Sequence, residues 1–374
     1  MKDKVCIVVS SAMTVNTFLL EPIKKLSLHY HVHLLVNDTV DSISPSLEGV
    51  TILPVQIERK VAPFLDLFAL LKLIKIFRKY QFKMVHSVTP KAGLLAMMAS
   101  FFCRVPTRIH IFTGQVWVTR HGMSRFVFKL MDRVIAFLAT DVLVDSASQR
   151  QFLVNERIVN TAKSSVLAKG SISGVDTERF KPNELIRDKF RQELFIDDHE
   201  TVFLFIGRLN RDKGVLELAT AFSKITDSQA RLLIVGPDED DMQSKMEKIL
   251  AERMEQVNFV GFSSHPEKYM AAADVLCLPS YREGFGSVVI EAAAVGIPTI
   301  GSDIYGIKDA VEDSKSGLLF PVGNIDELLL KMRKIISNDD LRKNLGDYAR
   351  KRALQDFSSK YVASQWLEYY RTKI

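Results

Sequence analysis

Short apolar runs recur along the chain, and each is followed by glycine, proline or serine and then by a segment with helical spacing. Apolar runs without alternation are typical of strands that helices cover on both faces, so the pattern predicts a parallel sheet. In the second half of the chain, the predicted strands are Thr201–Ile206, Arg231–Val235, Val257–Gly261, Asp274–Leu278 and Pro298–Gly301.

The first half shows the same alternation and predicts another α/β unit. Its predicted strands are Lys4–Val9, His31–Val36, Val50–Leu53, Met84–His86, Arg108–Phe112 and Thr140–Val144. Between the halves, the glycine, proline and charged residues from Ser171 to Asn183 are typical of an interdomain connection. We therefore predict one domain over residues 1–180, a linker over 181–200, a second domain over 201–356 and a final helical segment over 357–374.

Two segments that follow predicted strands of the second domain carry candidate binding chemistry, because ligands of a doubly wound sheet bind beyond the carboxyl ends of its strands. The first runs from Gly207 to Gly214 and contains Arg208 and Lys213. A guanidinium can hold two phosphate oxygens and an ammonium adds a point charge, so this pair favours a diphosphate. The alternative is a pair of solvated loop cations.

The second segment begins at Glu283, continues through Gly284, Phe285 and Gly286, and places another carboxylate at Glu291. The two glycines predict a helix N-terminus, whose backbone N–H groups favour phosphate or sugar oxygens. Along a helix the two acids would lie ~12 Å apart, and carboxylate oxygens accept hydrogen bonds from sugar hydroxyls. Taken alone, the spacing is equally consistent with a loop acid and a partner of the helix dipole.

In this order, the two segments resemble the second domain of the retaining glycosyltransferases of family 4. The likeness covers nearly the whole chain and implies the GT-B fold, with two facing Rossmann-like domains, parallel sheets and a cleft between them. The resemblance implies that Arg208 and Lys213 bind the donor diphosphate and that Glu291 binds the ribose hydroxyls. It places Glu283 on the transferred sugar. The complete set that it assigns to the donor is Gly207, Arg208, Lys213, Glu283, Gly284, Phe285, Gly286, Ser287 and Glu291.

The resemblance also concerns the first domain and the end of the chain. A histidine inside a predicted strand is more often a core residue, but the likeness favours His110 in the cleft, where it would orient or stabilise the transferred sugar. His110, Glu283, Arg208 and Lys213 are therefore the catalytic candidates. Trp117 could stack on a sugar, lie at a membrane interface or pack in the core. The segment 357–374 is implied to cross back onto the first domain.

For the reaction, the resemblance implies retention at the anomeric carbon by front-face attack, with the leaving diphosphate assisting deprotonation of the acceptor and with no metal ion. The acidic run Asp238–Asp241 is more typical of a solvated helix start than of a metal site. The sequence has neither the glycine-rich ATP loop nor the dinucleotide fingerprint after its first strand. We therefore expect a hexosyltransferase that needs no cofactor or metal.

Composition and charge point to the location and partners. The formal charge of +6 is not concentrated in a tail and accompanies no nucleic-acid motif, so it favours an anionic membrane surface or anionic substrate over nucleic acid. Pro63–Lys79 and Arg120–Lys129 are apolar and basic, as expected of membrane-surface helices, although Pro63–Lys79 equally fits a helix packed on its sheet. Without a signal peptide or a membrane-spanning run, we expect a cytoplasmic protein on the inner face of the cell membrane.

Two stretches of the first half, Thr89–Leu95 and Phe112–Trp117, resemble bacterial enzymes that extend polyprenyl-diphosphate-linked glycans. The predicted function is transfer of a sugar from a UDP-sugar to such a lipid-linked saccharide, in surface polysaccharide or glycoprotein glycan assembly. An N-acetylated hexosamine is one candidate sugar. The alternatives are a UDP-sugar 2-epimerase of GT-B type and a non-catalytic nucleotide-sugar-binding partner of a glycan assembly complex.

Overall fold

The structure is a computed structural model, and it describes residues 2–58, 62–227 and 229–374. The chain divides into two compact units, one formed by residues 1–174 together with 359–374 and the other by residues 175–358. The chain thus passes from the first unit to the second after Gly174 and returns after Ser358. Both units are α/β, which confirms the predicted fold class.

The first unit is built on a parallel sheet with strand order β3-β2-β1-β4-β5-β6-β7. Its strands are β1 (Lys4–Val9), β2 (His31–Val36), β3 (Thr51–Pro54), β4 (Met84–Val88), β5 (Thr107–Phe112), β6 (Asp141–Val144) and β7 (Ser164–Val166). Its helices before the crossing are α1 (Ala12–Thr14), α2 (Leu20–Ser27), α3 (Pro63–Tyr80), α4 (Pro90–Phe102), α5 (Gly122–Leu138) and α6 (Ala147–Asn155). A π-helical turn, Val15–Leu19, joins α1 to α2.

The second unit repeats this arrangement, with strand order β10-β9-β8-β11-β12-β13. Its strands are β8 (Thr201–Ile206), β9 (Ala230–Val235), β10 (Val257–Gly261), β11 (Val275–Leu278), β12 (Thr299–Ser302) and β13 (Gly317–Phe320). Its helices are α7 (Glu184–Glu193), α8 (Val215–Ser223), α9 (Met242–Leu250), α10 (Pro266–Ala272), α11 (Ser287–Val295), α12 (Ile307–Ala310), α13 (Ile325–Ile336) and α14 (Asp339–Asp356). The last helix of the chain, α15 (Ser359–Arg371), belongs to the first unit.

Alternation along the strands divides the core of the first unit between the two faces of its sheet. In β1, Cys6 and Val8 pack with α3, α4 and α5, whereas Val5, Ile7 and Val9 pack with α2 and α15. Successive side chains of a strand point to opposite faces, so an apolar run is buried on both sides. Among the helices that the structure describes, none has the length and apolarity that crossing a membrane requires.

The segment over residues 181–200, expected to be a linker, holds helix α7 instead. The guanidinium of Arg191 is buried and donates to Asp274 Oδ2 at 3.3 Å, while Arg187 donates to Asp274 Oδ1 at 2.7 Å. These pairs fix α7 to the start of β11 and make the segment part of the second unit. The charged residues of this segment predicted a linker because their partner, Asp274, lies more than eighty residues further along the chain and the sequence does not show the pairing.

Candidate functional site

The two candidate segments of the second unit meet at the carboxyl edge of its sheet. One follows β8 and the other follows β11, and these neighbouring strands flank the point where the strand order reverses. The backbone N–H of Tyr281 donates to the carbonyl oxygen of Asp212 at 2.8 Å. Gly214 has φ +67, and a Cβ at this position would lie 2.1 Å from the carbonyl oxygen of Pro279, so the close approach of the loops requires glycine.

At this junction, Lys213 and Glu283 form an ion pair. Lys213 Nζ lies 2.5 Å from Glu283 Oε1, and the hydroxyl of Ser280 donates to the same oxygen at 2.9 Å. The lysine and glutamate side chains are 20% and 14% exposed, so the pair is partly shielded from solvent. The structure therefore brings together the cation predicted for a diphosphate and the carboxylate predicted for a sugar.

Arg208 lies on the outer side of the same loop, where its side chain is exposed. Its Nη1 donates to both carboxylate oxygens of Glu239 at 3.1 Å, and Asn210 Nδ2 donates to Glu239 Oε2 at 3.0 Å. An exposed ion pair of this kind contributes about 0–1 kcal/mol. A doubly charged diphosphate could therefore replace Glu239 as the partner of Arg208 at small cost.

Two helices begin at this edge behind glycine residues. Gly214 precedes α8 and Gly286 precedes α11, both with left-handed φ values, +67 and +79. Neither helix start has a side-chain cap from the residues that the structure describes. The N-terminal turns thus present backbone N–H groups and the positive end of the helix dipole to an anion. Phe285, directly before Gly286, is buried with its ring 5.2 Å from that of Phe357, so its side chain anchors the loop.

Glu291 lies in the second turn of α11 and keeps partial solvent exposure. Within residues 2–58, 62–227 and 229–374, no hydrogen bond to its carboxylate is formed. Desolvation raises the pKa of Glu291 to about 7, and the charge of Glu267 also raises it, whereas the charge of Arg179 acts in the opposite direction. A poorly solvated carboxylate without donors is stabilised by ligand hydroxyls, which is the role predicted for this residue at the ribose.

His110 belongs to the first unit, and its surroundings favour the core interpretation over the predicted cleft position. The imidazole is 1% exposed, and its Nδ1 lies 2.8 Å from the hydroxyl oxygen of Ser87. A Cβ on Gly93 of α4 would lie 2.4 Å from the ring, so the helix covers it closely. Burial lowers the pKa of His110 to about 3 and keeps the ring neutral. In this structure the side chain of His110 points from β5 toward α4, and its role on the transferred sugar stays a prediction.

Trp117 is also a core residue, in agreement with one of its three predicted placements. Its indole N–H donates to Asp132 Oδ2 at 2.7 Å, and its ring stacks on that of Phe152 at 5.5 Å between centroids. The guanidinium of Arg125 and the ammonium of Lys129 lie over the ring. This side chain fixes the segment between β5 and α5 and is not available to stack on a sugar in this conformation.

Comparison with known proteins gives two family matches that follow the division of the chain. Residues 4–143 match the family described as glycosyl transferase 4-like, and residues 186–352 match glycosyl transferases group 1. The capsular polysaccharide biosynthesis glycosyltransferase CapM of Staphylococcus aureus is 30% identical over 345 residues, which are 91% of this chain and 90% of the relative. The chain belongs to the group 1 glycosyltransferases. The resemblance found in the sequence is thereby confirmed.

Two further relatives of this glycosyltransferase have names that specify their substrates. The UDP-Gal:α-D-GlcNAc-diphosphoundecaprenol α-1,3-galactosyltransferase of Escherichia coli is 24% identical over 307 residues, covering 80% of this chain and 78% of the relative. The N,N′-diacetylbacillosaminyl-diphospho-undecaprenol α-1,3-N-acetylgalactosaminyltransferase of Campylobacter jejuni is 24% identical over 317 residues, covering 82% of both chains.

Among solved structures, Anabaena HepE in complex with UDP-glucose has a TM-score of 0.82 and 20% identity, and covers 99% of both chains. Sucrose-phosphate synthase from Thermosynechococcus elongatus has a TM-score of 0.81 and 21% identity, covering 99% of this chain and 98% of that structure. These likenesses show the fold of the group 1 glycosyltransferase, which is of the GT-B class.

The glycosyltransferase also carries polar groups that the sequence did not single out, at the carboxyl edge of the first sheet. Among the described residues, Thr89 Oγ1, Gln115 Nε2 and Asp145 Oδ1 are buried without a hydrogen-bond partner. They follow the ends of β4, β5 and β6. Burial raises the pKa of Asp145 to about 7. Buried polar atoms without a partner are rare, so these three residues are candidates for ligand contact. In the sequence, they could have been found as polar residues just beyond the end of each strand.

The acidic run Asp238–Asp241 of the glycosyltransferase caps a helix. Asp238 Oδ1 accepts from the backbone N–H of Met242 at 2.8 Å, and Oδ2 accepts from that of Gln243 at 3.1 Å. These bonds satisfy donors in the first turn of α9, as the helix-start interpretation predicted. In the part of the chain that the structure describes, no cluster of three or more histidine, cysteine or acidic side chains is arranged to hold a metal ion.

Proposed function

We propose that this glycosyltransferase moves a hexose-type sugar from a UDP-sugar to a polyprenyl-diphosphate-linked saccharide, with retention at the anomeric carbon. The observation that carries the donor side is the Lys213–Glu283 pair at the reversal point of the second sheet, between two uncapped helix starts. It combines a diphosphate-binding cation with a sugar-binding carboxylate. The UDP complexes of HepE support a UDP-sugar, and the names of the two bacterial relatives support a lipid-linked acceptor.

On the donor, each group has the role that its chemistry suits. Arg208 and Lys213 exchange Glu239 and Glu283 for the diphosphate oxygens, and the helix starts at Gly214 and Gly286 add backbone donors. Glu283, once released from Lys213, accepts hydrogen bonds from hydroxyls of the transferred sugar. Glu291 accepts from the ribose hydroxyls. The bound donor thus spans the two carboxylates, with its sugar at Glu283 and its ribose at Glu291.

In the reaction, the bond between the anomeric carbon and the diphosphate oxygen breaks while the acceptor oxygen attacks from the same face. The acceptor proton passes to the departing diphosphate. Positive charge fixed on Arg208 and Lys213 stabilises the negative charge that develops there, which is the type of term that often contributes most to catalysis. We propose that these cations allow turnover without a metal ion or cofactor.

The acceptor side is proposed to use the carboxyl edge of the first sheet. Thr89, Gln115 and Asp145 offer a hydroxyl, an amide N–H and a carboxyl oxygen without partners among the described residues. Such groups suit the hydroxyls and the amide of an N-acetylated hexosamine, the candidate donor sugar, and we propose the same sugar class for the acceptor. The lipid portion of the acceptor would keep the protein at the cytoplasmic surface of the cell membrane.

The test is turnover of a panel of UDP-sugars with a short-chain polyprenyl-diphosphate saccharide, followed by determination of the anomeric configuration of the product. We expect one UDP-sugar to be consumed only with acceptor present, to give a retained linkage, and to react equally in excess EDTA. Conversion of the UDP-sugar without acceptor would instead indicate the 2-epimerase. Binding of nucleotide sugar without any conversion would indicate the non-catalytic partner.

Donor affinity is expected to fall with pH below 7 because of Glu291. Its pKa is about 7 in the free protein, and hydroxyl donors bind the ionised form, so at pH 6 about one molecule in ten is ready to bind and the Kd rises about tenfold relative to pH 8. Calorimetric titration with a UDP-sugar, whose diphosphate does not titrate in this range, measures the effect. The Glu291→Gln variant should bind more weakly but with a flat profile, and an unchanged slope in that variant would assign the titration to another group.

A further inference from the structure

The outward faces of α3 and α5 are unusually apolar for a protein surface. On α3, the side chains of Phe64, Leu65, Leu67, Phe68 and Leu71 are 42–83% exposed. On α5, those of Met123, Phe126, Val127, Leu130 and Phe137 are 45–78% exposed. We call these ten residues the α3–α5 surface. Scattered exposed apolar side chains are ordinary, but two whole stripes of them on one unit mark an interaction site.

Both helices are apolar on their inner faces as well. Ala69, Leu73 and Phe77 of α3 and Ile135 and Ala136 of α5 pack into the core of the first unit. The sheet therefore accounts for one face of each helix, which confirms that Pro63–Lys79 packs on its sheet. It does not account for the other face. Exposed residues 123, 126, 127, 130 and 137 recur at helical spacing along one side of α5.

The two stripes lie on the same side of the sheet, and both begin at the same end of it. Helix α4 packs between α3 and α5, and an ion pair of 2.6 Å between Asp66 and Lys91 fixes the first turns of α3 and α4 together. A crossover helix begins near the carboxyl end of the strand before it, so α3, α4 and α5 all begin at the edge that carries Thr89 and Gln115. The exposed apolar residues of α3 are confined to that end of the helix.

The charges around the stripes are of one sign. The exposed face of α3 continues from its apolar half into Lys72, Lys75, Arg78 and Lys79, and that of α5 includes Arg133. The exposed positions of these two helices, all of them described, include no acid. A second copy of the chain using the same surface across a two-fold axis would bring these like charges together. An anionic bilayer offers the opposite charge beside an apolar interior.

We infer that the α3–α5 surface docks the protein on an anionic phospholipid bilayer, with the apolar half of α3 and the stripe of α5 in the interfacial layer and the basic half of α3 among the headgroups. This inference rests on the proposed lipid-linked acceptor and adds where the membrane meets the fold. The inserted ends of the helices adjoin the carboxyl edge proposed for the acceptor, so a diphosphate at the bilayer surface reaches that edge without leaving the membrane.

The test is sedimentation of the full chain with phosphatidylglycerol-containing vesicles. We expect wild type to bind them at least about tenfold more tightly than phosphatidylcholine vesicles, and Phe64→Ser/Phe68→Ser/Phe126→Ser to lose about tenfold in affinity. The matched control is Phe195→Ser/Phe262→Ser, which removes equally exposed aromatic rings of the second unit and should bind like wild type. Equal binding of the triple variant and wild type would overturn the inference, as would a lipid-free dimer that the triple variant dissociates.

Two further measurements keep the result clear if the triple variant folds poorly. Brominated lipids should quench the fluorescence of the tryptophan introduced by Phe68→Trp but not that of the tryptophan introduced by Phe262→Trp. Both native tryptophans are buried, so the exposed signal comes from the introduced residue. Quenching of both or of neither would contradict the inference. Turnover with a water-soluble acceptor separates the two proposals: if wild type transfers no sugar but binds vesicles, the proposed function fails and the docking surface stands. If wild type transfers sugar but does not bind vesicles, the docking surface fails and the proposed function stands.

Discussion

Glu283→Ala is expected to lower kcat by about 10²- to 10³-fold while leaving the Kd for UDP within a few-fold of wild type. In the free protein, Glu283 neutralises Lys213 across 2.5 Å. Removing the carboxylate leaves the cation free for the diphosphate, so nucleotide affinity has no reason to fall. The variant loses the carboxylate that accepts hydrogen bonds from the hydroxyls of the transferred sugar. The position of this sugar decides whether its anomeric carbon meets the incoming oxygen.

A matched control is Glu312→Ala, which removes a carboxylate that pairs with Lys315 at 2.5 Å on the surface of the same unit. It should leave kcat and nucleotide affinity unchanged. Steady-state kinetics with the donor identified by the panel, together with direct UDP titration, give both quantities for each variant. A loss of UDP affinity in Glu283→Ala as large as its loss of turnover would place this carboxylate on the nucleotide instead of the sugar.

Glu291→Ala is expected to raise the Kd for UDP by about 10- to 100-fold, since hydrogen bonds to a charged group contribute about 1.5–3 kcal/mol. At saturating donor, kcat should stay within a few-fold of wild type because Glu291 is assigned to the ribose and not to the reacting carbon. UDP titration and kcat at high donor concentration separate the two effects. Negligible effects in both Glu283→Ala and Glu291→Ala would remove the site assignment altogether.

Loss of folded protein does not explain the expected rise in the Kd for UDP in Glu291→Ala. The pKa of Glu291 is raised in the folded protein, so its cost to folding is complete above about pH 7 and declines to zero as the pH falls toward the ordinary glutamate value of 4.5. Removing it at pH 8 should leave the Tm unchanged or slightly higher. A clearly lowered Tm would show that Glu291 has a structural role that its surroundings do not indicate.

Much of the fold could be predicted because a doubly wound sheet leaves long apolar runs in the chain. The strands that were missed, β7 and β13, are short, and polar residues or glycine interrupt their pattern, as in Ser164–Val166 and Gly317–Phe320. Their pairing comes from the neighbouring strands and not from their own composition.

Where the candidate donor residues lie in the fold could be predicted, because most of them are in short segments between a strand and a helix, and their binding roles stay a prediction. Their contacts could not be predicted. The Lys213–Glu283 pair joins residues seventy positions apart, and it exists because β11 lies beside β8 in the sheet. Glu239 as the partner of Arg208 likewise depends on β9 flanking β8 on the other side.

His110 shows what the hydrophobic pattern of a strand does not predict. The run from Arg108 to Phe112 predicts that His110 shares a face of the strand with Arg108 and Phe112, but it does not show which helix covers that face. The structure turns His110 toward Gly93 on α4. Only a neighbouring helix with glycine at that position leaves room for the ring.

The central claim is that the second unit holds an activated sugar by its diphosphate and its hydroxyls at the reversal point of the sheet. A crystal structure of the protein with an intact UDP-sugar tests it most directly. We expect the diphosphate within hydrogen-bonding distance of Arg208 and Lys213, the ribose hydroxyls on Glu291 and the hexose on Glu283. A UDP-sugar bound elsewhere, with these four side chains still in their present ion pairs or facing solvent, would contradict the claim.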